Sequence, residues 1–169
     1  MLFYGIALLI FVVDQLTKRW IVNNLTIGEN LHVIHDFFII TSHRNRGAAF
    51  GILQDQRWFF IIITTVILAG IIWYMQMVIR QRQRLMPTAL SLILGGALGN
   101  FIDRALHGEV VDFFQFTFDF TIFGKSVYYV YPIFNVADMG IVIGVGLILL
   151  DSFLTWRREK RGMVNDAQG

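Results

Sequence analysis

The sequence predicts an α-helical integral membrane protein: four transmembrane helices with a small β-rich extracytoplasmic element. Three observations predict it. Of 169 residues, 56% are hydrophobic and 15% charged, against about 25% charged in soluble domains. Mean hydropathy is +0.60. The apolar residues gather in long runs of the length a bilayer requires, about 20 residues. A soluble chain of this size leaves roughly 30% of its surface in water, more than so few polar groups can cover. The 16 Phe, 4 Trp and 5 Tyr, beside 2 Pro, exclude a disordered chain, which is poor in aromatics.

The first span is the least regular. Leu2 to Val13 is apolar but is followed by Asp14, Lys18 and Arg19, so it reaches spanning length only if extended to about Val22 (residues 1–22). A cleaved signal peptide is disfavoured, because the run has no basic n-region and no small-x-small site follows. Asp14 and Lys18 are i,i+4 neighbours and can neutralise each other. The second span, Trp58 to Ile79 (58–79), carries no charge. The third, Leu85 to Ile102, is uncharged and ends in Asp103 and Arg104 (85–104). The fourth begins near Ile133, holds one charge, Asp138, up to Leu150, and closes near residue 154. The chain reads as one membrane domain, 1–169.

Basic residues orient it. Arg80, Arg82 and Arg84 lie between spans two and three, and Arg157, Arg158, Lys160 and Arg161 follow span four. By the positive-inside rule both blocks, and both termini, are cytoplasmic. Lys18 and Arg19 disagree, but two concordant blocks outweigh them. Basic residues flanking apolar runs are topology signals, and no nucleic-acid partner is expected. The absence of Cys excludes disulfides, thiolate zinc sites and a Cys nucleophile.

Residues 23–57 and 105–132 then lie outside. Leu31–Thr41, Val110–Phe118 and Ser126–Tyr131 are rich in β-branched and aromatic residues. The last two flank Phe120–Gly124 as a hairpin, with apolar faces at the membrane surface. Gly95/Gly99 and Gly140/Gly144 are small-xxx-small pairs that let spans three and four approach.

Ionisable groups within a bilayer are costly, so each is a functional candidate. Asp151 reads as a solvated cap at the cytoplasmic end of span four, and Asp14 with Lys18 as a structural pair. Asn100, Asp103 and Arg104 share a helix face at i, i+3 and i+4, and Asn135 and Asp138 are spaced i,i+3. Asp112 follows in an alternating, strand-like segment. If spans three and four pack through their glycines, Asp112 and Asp138 converge near the outer surface. Two adjacent carboxylates share a proton: one serves as base toward water while the other polarises a carbonyl and protonates the leaving amine. The plainer reading also stands, with Asp103 paired to Arg104 or another basic group and Asp138 a hydrogen-bonded core residue. His32 and His35 form H-x-x-H without a neighbouring Glu or Cys, so an exposed strand face is favoured over a metal site. The glycine-rich Gly95–Asn100 is not a phosphate loop. No Ser sits in G-x-S-x-G.

Five segments together carry a resemblance: Asp14-Gln-Leu-Thr-Lys18, Asn45-Arg-Gly-Ala-Ala-Phe50, Gly95-Gly-Ala-Leu-Gly-Asn100-Phe-Ile-Asp103-Arg104, Val110-Val-Asp112-Phe113 and Phe134-Asn135-Val-Ala-Asp138. In order and content they resemble the lipoprotein signal peptidase (signal peptidase II) family, aspartyl proteases of the bacterial cytoplasmic membrane. The resemblance implies cleavage of diacylglyceryl-modified prolipoproteins just before the lipidated cysteine. Asp112 and Asp138 match the catalytic aspartates. Asn45, Asn100, Arg104 and Asn135 match residues that hold substrate or the cyclic peptide inhibitor globomycin. Asp14 and Lys18 match a structural pair, and Asp103 is grouped with them. The resemblance further implies membrane lipids as surroundings, an active site facing the outer side, a monomer, and no metal or cofactor. The β-rich outer segment resembles a cradle on the membrane and the shorter outer element a lid.

Two features depart from the family. Arg46 stands where a small hydroxyl residue is expected. The stretch from Asp112 to Asp138 is long, suggesting an extended hairpin over Phe114–Tyr131. The competing class is a small proton-coupled transporter or channel subunit, since four spans with intramembrane carboxylates also fit one. Transporters hold their sites near the midplane, whereas Asp112 and Asp138 are expected near one surface. A structural membrane subunit would leave the clustered Asn, Asp and Arg without a purpose.

Overall fold

The computed structural model describes residues 1–47 and 53–166, with side chains described through Lys160. In chain order the elements are α1 (Leu2–Asn24), β1 (Asn30–Ile34), β2 (Phe38–Asn45), α2 (Arg57–Arg80), α3 (Leu85–His107), β3 (Val110–Ile122), β4 (Lys125–Val130) and α4 (Val136–Asp166). Three helices, α2, α3 and α4, are long and apolar enough to cross a membrane. This corrects the expectation of four such spans. Every 18-residue stretch of α1 contains Asp14, Lys18 and Arg19, too much charge to qualify on composition.

The helix α3 is the hub, packed against α1, α2 and α4. Glycines set its distance from two of them. A Cβ at Gly96 would collide with the Ala137 carbonyl on α4, and one at Gly144 would lie 2.7 Å from the Ala89 carbonyl. The small-residue pattern serves a second contact as well. Gly95 faces the Ala7 carbonyl and Gly99 the Asp14 carboxylate, both on α1. In α2 only Met75 and Val78 are fully buried. They join Ala7, Leu90 and Leu94 in an apolar cluster, while Trp58, Ile62, Val66 and Trp73 face outward. At the other end of α2, Arg57 donates from Nε to the Arg104 carbonyl at 2.9 Å and from Nη2 to the Ala105 carbonyl at 2.6 Å. The Arg104 carbonyl also accepts the Gly108 backbone N–H at 3.1 Å, so Arg57 adds a second donor there and a donor to the Ala105 carbonyl in the last turn of α3, where helical donors run out.

The α1–α2 and α3–α4 connections both feed one antiparallel sheet in the order β1-β2-β3-β4. Leu31–Thr41 is itself a hairpin: β1 pairs with β2 across a turn where His35 has φ 43°. The pair β2–β3 closes the fold, joining strands separated by two helices, from Phe38↔Phe116 to Asn45↔Val110. The second hairpin is tighter than expected. The strand β3 continues through Phe120 to Ile122, and the turn is Phe123-Gly124 alone. Both residues have positive φ, 51° and 74°, the conformation that two-residue hairpin loops favour. After β4 the chain returns along β3. Phe134 exchanges backbone hydrogen bonds with Phe114 at 2.8 and 3.1 Å, so α4 starts at Val136 rather than at 133. It also runs well past residue 154.

Gly96→Ala should separate α3 from α4 and cost about 1–3 kcal/mol, as over-packing does. Gly70→Ala on α2, which meets nothing within 4 Å, is the control. Thermal unfolding in detergent should show a lower Tm for the first variant and little change for the second.

Candidate active site

The return of the chain along β3 determines where the polar residues fall. With Phe134 bridged to Phe114, Asn135 stands beside Asp112 and starts α4. Its Oδ1 accepts from the Asp138 backbone N–H at 2.9 Å, and Asp138 Oδ2 accepts from the Asn135 backbone N–H at 3.1 Å. This is a reciprocal capping box, which satisfies two otherwise orphaned helix-terminal donors. The Asn135 amide Nδ2 donates to Asp112 Oδ1 at 2.7 Å and lies 3.1 Å from Asn100 Oδ1.

Every carboxylate oxygen of the two aspartates accepts a hydrogen bond. Asp112 Oδ2 accepts from Asn45 Nδ2, and Asp138 Oδ1 from Asn100 Nδ2, each at 2.9 Å. Asp112 is only 2% exposed. Burial pushes its carboxyl up to about 7, and the nearby Asp138 charge adds to this; the hydrogen bonds from Asn45 and Asn135 and the Lys18 ammonium oppose it. The two carboxylates line one cavity of about 940 Å³ with Asn45, Arg104, His43 and Gln54. Its remaining wall is apolar: Phe116, Phe118 and Tyr131 from the sheet side, Met139, Val142 and Ile143 from α4. Val142 and Ile143 are also exposed, so the cleft runs to an exposed apolar flank of α4.

The sequence candidates divide into two sets. Asn45, Arg104, Asp112 and Asp138 line the cavity, with Asn100 and Asn135 bonded to the aspartates from behind. Arg104 donates from Nη2 to the Gly47 carbonyl at 2.9 Å, and its guanidinium lies 4.6 Å from the centre of the Phe60 ring. Asp14, Lys18 and Asp103 form a second, buried cluster. Lys18 Nζ is 2.8 Å from Asp14 Oδ2 and 2.8 Å from Asp103 Oδ2. Asp103 is thus paired with Lys18 and not with Arg104, because the helix turns the two neighbours to different sides. Asp14 Oδ1 accepts from the Ala137 backbone N–H at 2.9 Å, joining α1 to the first turn of α4.

Arg46 points away from the aspartates: its Nε donates to Glu109 Oε2 at 3.0 Å. Ala48, Ala49 and Phe50 of the Asn45–Phe50 segment lie outside the described residues. The His32 ring meets the His35 carbonyl at 3.1 Å and Asp36 at 3.2 Å on an exposed hairpin. Sequence reasoning missed His43, Gln54, Gln15 and Arg57. The alternation of His43 with Asn45 on a strand was the available signal for the first. Gln15, which donates to Asp103 Oδ1 at 3.0 Å, lay inside the Asp14–Lys18 segment. Arg57 and Gln54 had no local signal.

Fold and site together define a helical membrane enzyme with a small antiparallel sheet. A family model described as Signal peptidase (SPase) II matches residues 6–154. The chain belongs to the signal peptidase II family, the membrane peptidases of lipoprotein processing, and prolipoproteins are the substrates this implies. It is 49% identical over 160 residues to the lipoprotein signal peptidase of Bacillus pumilus, covering 95% of this chain and 97% of that one. The lipoprotein signal peptidase of Bacillus subtilis is 48% identical over 161 residues, covering 95% and 99%. A solved structure described as a bacterial membrane enzyme, obtained by the in meso method at 2.3 Å, superposes with TM-score 0.74 at 46% identity, covering 88% of this chain and 85% of that one. A second, at 1.9 Å, gives 0.70 at 47% identity, covering 86% and 88%.

Because folded Asp112 holds its proton up to about pH 7 while an unfolded Asp releases it near pH 3.9, the unfolded state binds fewer protons between these values. Raising the pH through that window therefore destabilises the fold, by up to about 4 kcal/mol for this group. Asp112→Asn should abolish that part of the slope and raise the stability at pH 8. Thermal unfolding of both proteins between pH 4 and 8 checks this.

Proposed function

We propose that the chain is an aspartic endopeptidase that cleaves diacylglyceryl-modified prolipoproteins just before the lipidated cysteine, with Asp112 and Asp138 as the catalytic dyad. The observation that carries this reading is the cavity in which two hydrogen-bonded carboxylates, one held up to about 7, meet an apolar cleft that runs to an exposed flank of α4. Asp112 holds the shared proton. Asp138, whose carboxylate accepts from Asn100 and from the Asn135 backbone N–H, is the base.

In the reaction, Asp138 takes a proton from water as the water oxygen attacks the scissile carbonyl carbon. Asp112 donates its proton to the carbonyl oxygen, giving a neutral tetrahedral diol. As the diol collapses, one hydroxyl proton returns to the aspartates and a carboxyl proton passes to the departing nitrogen of the cysteine. The C–N bond breaks, and the dyad again holds one proton. Asn45, Asn100 and Asn135 keep the carboxylates oriented. Arg104, which lines the cavity beside them, binds substrate carbonyl groups.

The substrate's signal helix and acyl chains lie in the bilayer, and the cleft along Met139, Val142 and Ile143 admits them laterally. The same groove accommodates a cyclic peptide inhibitor such as globomycin. We place α1 across the membrane as a fourth span in one membrane domain (1–169), since Asp14 and Lys18 are buried and paired against α3. Arg80, Arg82, Arg84, Arg157, Arg158 and Lys160 then face the cytoplasm with both termini, the sheet and the aspartates lie at the outer face of the cytoplasmic membrane, and the protein acts as a monomer.

The test is cleavage of a purified diacylglyceryl prolipoprotein by the wild type, Asp112→Asn and Asp138→Asn. The wild type should release the signal peptide immediately before the modified cysteine and be inhibited by globomycin. Each variant should remain folded and lose activity by about 10³-fold, within the range for losing an acid–base group. Substantial activity in either variant would overturn the dyad.

A further inference from the structure

The buried ammonium of Lys18 is not used by the mechanism above. It is 3% exposed, and three acceptors surround it: Asp14 Oδ2, Asp103 Oδ2 and, at 2.9 Å, Asn100 Oδ1. The third contact leads to the site. An ammonium has donors only, so Asn100 must turn its oxygen to Lys18. Its Nδ2 then points the other way, to Asp138 Oδ1 at 2.9 Å. The other donor on Asn100 Oδ1 is Asn135 Nδ2, at 3.1 Å. That amide has two hydrogens and three acceptors, of which Asp112 Oδ1 at 2.7 Å is the nearest and the Val111 carbonyl at 3.4 Å the farthest. Lys18, which contacts neither Asp112 nor Asp138, is therefore the donor that holds Asn100 without a competing commitment to those two carboxylates. A polarised amide is also a stronger donor, because hydrogen bonds in series reinforce one another.

We propose that Lys18 is a positioning residue for peptide hydrolysis, acting through Asn100 to hold the Asp138 carboxylate in its working orientation. The proposal rests on the dyad reading. It assigns Lys18 a role that pairing with Asp14 and Asp103 alone does not require. The groups facing this relay are Asp14 and Gln15 from α1, Asp103 from α3, Asn135 from the start of α4 and Asp112 from β3.

A double-mutant cycle in the full-length enzyme tests it, with single-turnover cleavage of the lipidated prolipoprotein as the readout. Lys18→Met should lower the rate by about 100-fold, the scale on which small misplacements act, with KM little changed. Asn100→Ala should lower it comparably. The double variant should be no slower than Asn100→Ala within about threefold, because the effect of Lys18 passes through the residue already removed. Multiplying losses would overturn the proposal and leave Lys18 a helix fastener. Asn100→Asp covers the case in which Lys18→Met does not fold. It keeps an oxygen on Lys18 but presents no donor to Asp138, so a folded, slow enzyme supports the Asn100–Asp138 step on which the relay depends, and full activity overturns the relay. Asp112→Asn and Asp138→Asn are run alongside. Their inactivity combined with multiplying losses rejects the relay alone, whereas their activity rejects the dyad beneath it.

Discussion

The arrangement depends on one fully buried side chain, Asn135. Its oxygen caps α4, its backbone N–H binds Asp138, and its amide nitrogen binds Asp112. Neither aspartate could be placed by its own element alone. Asp112 is on a strand whose position is set by β2, while Asp138 is on a helix whose start is set by Phe134 pairing with Phe114. Asn135 sits where the two constraints meet and converts a backbone register into a distance between carboxylates. An apolar residue there would leave the Asp138 backbone N–H and the buried Asp112 carboxylate each short of a partner, each at a cost of about 1–3 kcal/mol or more.

Bringing that much charge into a helical bundle requires close helices and complete pairing. Buried polar groups without partners are expensive, and in a membrane no water stands by to replace them. The glycines on α3 meet this need in an unequal way. Gly96 lets the α4 backbone approach, whereas Gly99 makes room for the Asp14 carboxylate itself. That space admits the Asp14–Lys18–Asp103 cluster between α1 and α3. The cluster in turn ties α1 to α4 through Asp14 and the Ala137 N–H. Packing and polar satisfaction are therefore one problem here, solved by the same faces of the helices.

Much of this was legible in the sequence. Apolar runs, uncharged for α2 and most of α3 and holding only Asp138 for α4, located these helices, and the aromatic, β-branched segments located the strands. The spacing of Asn135 and Asp138 contained the capping box, since N-x-x-D before an apolar run is its signature. The charge on α1 was legible, but its partner was not: that Asp103 faces Lys18 while Arg104 faces Gly47 depends on how α3 is rotated, and helical spacing alone put all three of Asn100, Asp103 and Arg104 on one face. The pairing of β2 with β3 was hidden for a different reason. It joins segments separated by two helices, and local pattern carries no record of such long-range closure. Arg57, which finishes α3 from the start of α2, was invisible on the same ground.

The two aspartates do not have equal surroundings, and the inequality follows from the elements that bear them. Asp112 is on an extended strand, where neighbouring peptide dipoles largely cancel, and its two donors are the side-chain amides of Asn45 and Asn135. Asp138 is in the first turn of a long helix, where the dipoles add, and one of its donors is a backbone N–H of that terminus. A strand and a helix start, brought to one cavity, thus make unlike partners from identical side chains. On the dyad reading proposed above, this asymmetry is what distinguishes the general base from the general acid before substrate arrives. In this fold secondary structure adds to a difference in burial: Asp112 is 2% exposed on its strand, whereas Asp138 is only partly buried at the helix start.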